Sequence, residues 1–280
     1  MTDATHADGV SLRRETGTVP WTRQAWAFAR RHLQQLVRRK TIAALTIAWP
    51  ICWYALTLVL FVDDADALTR AALGMTFGLF GAFTVTVAVF AGEFARDLET
   101  DRYRKLRAMP ISPTADLAGR FTAGVAIGTG SYVATIVAAV ATGARFEAIT
   151  PTTIVVLVLT LVTFCLIAMA LALLLAVAVP KPEYMTTIAV VTVLVAFYLT
   201  GQNGIVPHMI AGSPEIVNFA PNSLATRLQL VAWAGPENVG FMTPPDPPSL
   251  PEHVALLAGY GVGLVAVSVA LVSRVAYGGE

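Results

Sequence analysis

The chain has 280 residues, of which 56% are hydrophobic and only 13% charged, and its mean hydropathy is +0.66. A soluble domain carries about 25% charged residues, so this composition excludes one and points to an integral membrane protein. The formal net charge of +1 supplies no global field for a polyanion, and nucleic acid is not expected as a partner.

Residues 1–19 are polar and contain no apolar core of the kind a cleavable signal peptide needs. They are expected to form a disordered tail, with a single transmembrane domain over 20–280. Residues 20–40, PWTRQAWAFARRHLQQLVRRK, place Trp26, Ala29, Leu33 and Val37 at helical spacing and Arg23, Arg30, Arg31, Gln34 and Arg38 on the other faces. This pattern predicts an amphipathic helix lying on an anionic membrane surface, the alternative being a cytosolic extension of the first helix. The first apolar run follows at Thr41 and is expected to act as an uncleaved signal anchor.

A helix crosses about 30 Å of hydrocarbon with about 20 apolar residues. Six segments qualify, at roughly 41–62, 71–92, 117–142, 152–179, 184–201 and 253–275. None alternates in polarity as barrel strands do, so the expected fold is an all-α membrane protein with six transmembrane helices. Of the 19 basic residues, 16 fall on the side of the N-terminal segment, the 93–120 loop, the 180–183 turn and the C-terminus; only Arg70, Arg145 and Arg227 fall on the other. The positive-inside rule then places both termini in the cytoplasm. Cys52 and Cys165 both sit in apolar runs and are expected to be inert thiols.

Between spans two and three, Glu93 to Met109 contains neither Gly nor Pro and predicts a helix, which Pro110 would stop. Leu98, Arg102, Leu106 and Met109 share one side of it, and Tyr103 neighbours Leu106. Gly124 and Gly128 form a G-x-x-x-G in span three that suits close helix packing. Before the last span, 202–252 is half apolar yet broken by prolines, an external segment that could dip into the membrane only under a cover of protein.

Several chemistries are missing from the sequence. None of Lys40, Lys105 and Lys181 follows a Gly, so no phosphate-binding loop of the G-x-x-x-x-G-K-[ST] type is present. The four histidines have no metal-ligand spacing, and His208 with Met209 is better read as surface. Apart from Arg120 and Arg274, each near the end of its span, the spans are uncharged, which disfavours an ion-coupled carrier or a membrane-embedded enzyme.

The stretch DLETDRYRKLRAMPIS, residues 97–112, resembles the E-R-E-x-G-T-L-E-R-L-L-A-T-P-L-S stretch that follows the second span of ABC-2 type ABC transporter permeases. Asp97 and Glu99 match the two acids, and Lys105, Leu106, Ala108, Pro110 and Ser112 match the basic, leucine, alanine, proline and serine positions. Tyr103 stands for a leucine, Asp101 for the glycine, and Arg102 and Arg107 depart from the pattern. The resemblance implies a cytoplasmic coupling helix that docks on a separate ATP-binding subunit through Asp97, Glu99, Arg102, Tyr103, Lys105, Leu106, Met109 and Pro110. Tyr103, Leu106 and Met109 are expected as its anchors. It also implies two permease copies, identical or related, in a prokaryotic plasma membrane. This chain would bind no cofactor, because ATP and Mg would sit in the partner. Spans one, two and five would contribute the path, with Phe77, Phe80, Phe83, Thr84, Thr187 and Tyr198 as candidate lining for an amphipathic or lipid-like substrate moved outward. The alternative is a scaffold or sensor that recruits a cytosolic partner without transport.

Overall fold

The computed structural model describes residues 19–62, 64–100, 102–146, 149–179, 181–205, 213–239 and 246–276. Residues 1–18 of the expected tail, His208 and Met209, and the side chain of Arg107 lie outside the described residues. The elements are helices: α1 (Trp21–Arg38), α2 (Lys40–Leu60), α3 (Ala67–Glu99), α4 (Arg102–Arg107), α5 (Pro113–Ala141), α6 (Pro151–Ala178), α7 (Pro182–Leu199), α8 (Pro221–Ala234) and α9 (Leu250–Ala276). Six of them, α2, α3, α5, α6, α7 and α9, are long and apolar enough to cross a membrane, and they coincide with the six predicted spans.

The starts of these helices follow from local chemistry. Pro113, Pro151 and Pro182 occupy the first turns of α5, α6 and α7, where a missing N–H costs nothing. Asp66 caps α3 by accepting from the Thr69 N–H at 2.7 Å, as N-cap carboxylates do.

The bundle is built around α3, which packs against α2, α5, α6, α7 and α8. Within its apolar stretch 89% of residues are buried, against 22% for α2 and 17% for α9. Small residues allow the approach of α5 to α6: a Cβ on Gly124 would overlap Met169, and one on Gly128 would come within 2.5 Å of the Cys165 Sγ. The G-x-x-x-G therefore serves helix packing. Pro50 interrupts α2 and fills the gap left at Gly81 of α3. Proline has no N–H for the carbonyl four residues back, so the Thr46 carbonyl is released. The Ser131 hydroxyl of α5 donates to it at 3.0 Å, as a neighbouring helix must do where no water reaches.

After α7 the chain reverses hand for one turn. Gly201, Gln202, Asn203 and Gly204 have φ of 61, 49, 58 and 78°, a conformation costing about 1–2 kcal/mol at each non-glycine residue. Asn222 holds it, donating to Asn203 Oδ1 at 2.8 Å and to Thr200 Oγ1 at 2.7 Å. Beyond it, α8 is buried against α3, α6 and α9. Its Gln229 accepts from the Tyr132 hydroxyl at 2.9 Å and donates to Thr160 Oγ1 at 3.1 Å. Tyr132 lies nine residues from the Ala141 end of α5, and Thr160 nine from the Pro151 end of α6. Thus α8 reaches about 13 Å into the bundle at 1.5 Å per residue, with its backbone covered by neighbours.

Candidate functional site

The helix expected over 93–109 is broken in two. First, α3 continues from the apolar stretch through Glu93 to Glu99; Thr100 ends it, its hydroxyl donating back to the Arg96 carbonyl at 2.8 Å. The six-residue α4 then runs from Arg102 to Arg107 and stops before Pro110. The break has an electrostatic cause. Asp97 on the last turns of α3 is ion-paired with both Arg102 and Arg120. Residues five apart do not face each other on a straight helix, so pairing Asp97 with Arg102 requires the chain to fold back toward α5.

Arg120, in the second turn of α5, is fully buried. Its Nε donates to Asp116 Oδ2 at 3.2 Å. Its guanidinium lies 5.4 Å from the centroid of Phe94 and 5.9 Å from that of Tyr103, and these two rings meet edge-on at 5.6 Å. Two carboxylates and two aromatic faces thus offset the large desolvation cost of one buried cation. The result is a clamp joining the end of α3, α4 and the start of α5.

This arrangement places two of the three expected anchors inside the chain. Tyr103 and Leu106 are only 3% and 5% exposed, packed inside the chain, and the Tyr103 hydroxyl reaches Asp116 Oδ2 at 3.5 Å. Burial raises the Tyr103 pKa above its ordinary value, so the phenol stays protonated. The reason is the partner each side chain finds: a neutral ring over Arg120 is better placed inside than in solvent. The outward face of the corner is carried by Glu99, Arg104, Lys105, Met109 and Pro110, all exposed. Asp97 and Arg102 are committed to the clamp. Of these clamp residues, sequence reasoning noted Arg120 only as a charged exception and gave no role to Asp116 or Phe94. The signal for Asp116 was present, since an Arg at the head of an apolar helix needs an acid and Asp116 stands one turn before it.

The amphipathic α1 closes the corner. Trp21 Nε1 donates to Thr114 Oγ1 and the Ser112 N–H to Gln24 Oε1, both at 2.9 Å. Phe28, Ala29, His32 and Leu36 are buried, whereas Trp26 and Val37 of the expected lipid face are exposed. Ala29 thus leaves the expected apolar stripe for the protein side.

Beside the clamp, a cleft of about 350 Å³ opens between α2, α3 and α7. Arg39, Glu93 and Arg96 line its charged end, and Ile42, Trp49, Val85 and Val89 are among its apolar walls. Glu93 approaches Arg39 Nη1 at 3.8 Å and His32 Nδ1 at 3.4 Å. Burial lowers the His32 pKa, so this imidazole is neutral at pH 7. Of the six candidate path residues only Thr84 borders the cleft. Phe77 and Phe80 pack with Phe197, their centroids 6.1 and 4.5 Å from its ring, and Phe83 stacks on Phe164 at 4.7 Å. Thr187 and Tyr198 are exposed on α7. The phenylalanines are therefore core here, because aromatic rings at this spacing on a buried helix find one another.

In a comparison with protein families, the model described as ABC-2 type transporter matches residues 23–208, from α1 past the left-handed turn. No curated protein matches the chain.

Proposed function

The chain belongs to the ABC-2 type transporter family, and from that premise we propose that it is the permease of an ATP-driven exporter, working with a separate ATP-binding subunit and a second permease copy. A chain of this family is the transport component and not the nucleotide-binding one. In this reading the α4 corner and both termini face the cytoplasm of a prokaryotic cell, and the partner ATPase seats on the corner. ATP and Mg belong to that partner. Closure of its nucleotide sites moves α4, and the clamp passes the movement to α3 and α5 together, switching the bundle between inward and outward access for an amphipathic substrate.

The observation that carries this is the clamp itself. A six-residue helix is too short to hold its shape in water, yet α4 is held by the Asp97–Arg102 ion pair and by Tyr103 packed against Phe94 and Arg120. It presents Arg104, Lys105 and Met109 outward, and Met109 is 45% exposed. An exposed apolar side chain within a basic rim suits a protein partner.

The test is purification of the chain from its own membranes under conditions that keep complexes, followed by Mg-ATP hydrolysis and transport in vesicles. The parent is expected to carry ATPase activity, and Arg104→Glu with Met109→Ala is expected to lose at least nine-tenths of it, on the order of the 2 kcal/mol a buried anchor contributes, while the helical content is unchanged. Equal ATPase recovery with both chains would remove the corner as the docking surface. A bound ATPase without ATP-driven transport would favour the scaffold reading.

A further inference from the structure

The cleft between α2, α3 and α7 has a chemistry that defines its occupant. Its walls are apolar in effect as well as in composition. Two of the hydroxyls that line it are turned to their own helices, Thr46 donating to the Ile42 carbonyl at 2.8 Å and Thr84 to the Phe80 carbonyl at 2.7 Å. Few polar partners remain for a soluble polar ligand along the walls. The charge is gathered at one end. There Glu93 is engaged by Arg39, at 3.8 Å, and approached by His32, whereas Arg96 is exposed and makes no ion pair among the described residues. Arg38 and Lys40, which flank Arg39 in sequence, are exposed as well.

The dimensions fit the same reading. From Arg39 to Trp49 along α2 is ten residues, and from Arg96 to Thr84 along α3 is twelve, so the cleft runs about 15–18 Å from its charged end. That is about half the hydrocarbon thickness of a bilayer. A volume near 350 Å³ lies in the range of small-molecule sites.

We infer that this cleft binds a single amphiphile with an anionic head group, the head at Arg96 and Arg39 and the apolar body lying along Trp49, Val85 and Val89, one leaflet deep. The inference deepens the exporter reading and rests on it for the claim that the occupant is cargo. A cationic amphiphile is disfavoured because it would meet the unpaired Arg96, while Glu93, the carboxylate among the described lining residues, is engaged by Arg39. A phospholipid of the surrounding bilayer with a net-neutral head has no reason to prefer the cleft to the membrane.

The experiment uses the full-length chain alone in nanodiscs of zwitterionic lipid, with two fluorescent probes that share one alkyl chain. One ends in a phosphate and the other in a trimethylammonium. The alkyl phosphate is expected to bind saturably at one per chain and at least tenfold more tightly than the ammonium probe, a difference typical of a charge-assisted contact. Arg96→Gln is expected to weaken the phosphate probe about tenfold and leave the ammonium probe unchanged; because Arg96 is exposed, the fold is not at stake. Val89→Trp, which fills the cleft, is expected to abolish saturable binding of the phosphate probe. Equal binding of both probes, unsaturable partition into the disc, or an Arg96→Gln chain that binds like the parent would each overturn the inference. Because no ATPase is present, the outcome is separate from that of the exporter reading. ATP-driven transport by the complex without phosphate-probe binding would sink the cleft and spare the permease; binding without ATP-driven transport would do the reverse.

Discussion

Arg120 shows how one side chain can determine the geometry of a whole corner. It is fully buried, and the acids it joins sit on two different helices, Asp97 on α3 and Asp116 on α5. Removing one partner of a buried ion network leaves the others uncompensated, at a cost of about 3–5 kcal/mol. Arg120→Leu is therefore expected to lower thermal stability in detergent by an amount in that range and to release α4, read as new protease cleavage within 100–110. The exposed Arg104→Ala is expected to change stability by no more than about 0.5 kcal/mol. A variant Arg120→Leu that melts with the parent would show the clamp to be ornamental. Asp97→Asn is a milder companion: it removes the acid shared by Arg102 and Arg120 and keeps the shape, so its loss falls between those two.

Among the elements, α2 and α5 are joined by a bond that a proline made necessary. Pro50 frees the Thr46 carbonyl and Ser131 takes it. Ser131→Ala is expected to cost about 1 kcal/mol, the scale of one interhelical hydrogen bond in a membrane protein. In the Pro50→Ala background, α2 can close its own hydrogen bond, and the same Ser131→Ala change is expected to cost markedly less. Unfolding in a denaturing detergent, taken round the double-mutant cycle, measures the coupling, and a coupling of zero would separate the two residues. The spans themselves were readable from the sequence because their length is set by the solvent: an apolar run near 20 residues has few other uses. The inward turn of Tyr103 and Leu106 was not, since a helical wheel gives the faces of a helix but not which neighbour covers them. Tyr103 faces inward because of Arg120, which lies 17 positions further along the chain. The break at Thr100 was hidden too, as 93–109 has no residue that forbids a helix; the pull comes from an ion pair. Spans one, two and five, which the resemblance implies for the path, also form the cleft, and of the residues singled out for the path Thr84 borders it.

At the scale of the whole molecule, the basic residues gather at the end that carries α1 and α4. This asymmetry predicts orientation. With Cys52 and Cys165 replaced, a lone Cys at position 104 is expected to react with a membrane-impermeant maleimide only in inverted vesicles, and a lone Cys at exposed Ile216 only in intact cells. Labelling of position 104 from outside intact cells would reverse the topology and take the proposed docking surface with it. Cys165 contacts the Gly128 backbone region closely, so Ala is the replacement that keeps the packing.

The enclosure of α3 has a consequence for how such a bundle responds to the lipid around it. At 33 residues it is about 50 Å long, well over the hydrocarbon thickness, but a bilayer meets little of it because its apolar stretch is 89% buried. The spans that face outward, α2, α7 and α9, carry the boundary with the acyl chains. A thicker or thinner bilayer therefore acts on the perimeter, where hydrophobic mismatch is relieved by tilt, and not on the shaft. The perimeter helices α2 and α7 wall the cleft beside α3, so acyl-chain length would widen or narrow the cleft while the clamp at the end of α3 kept its shape.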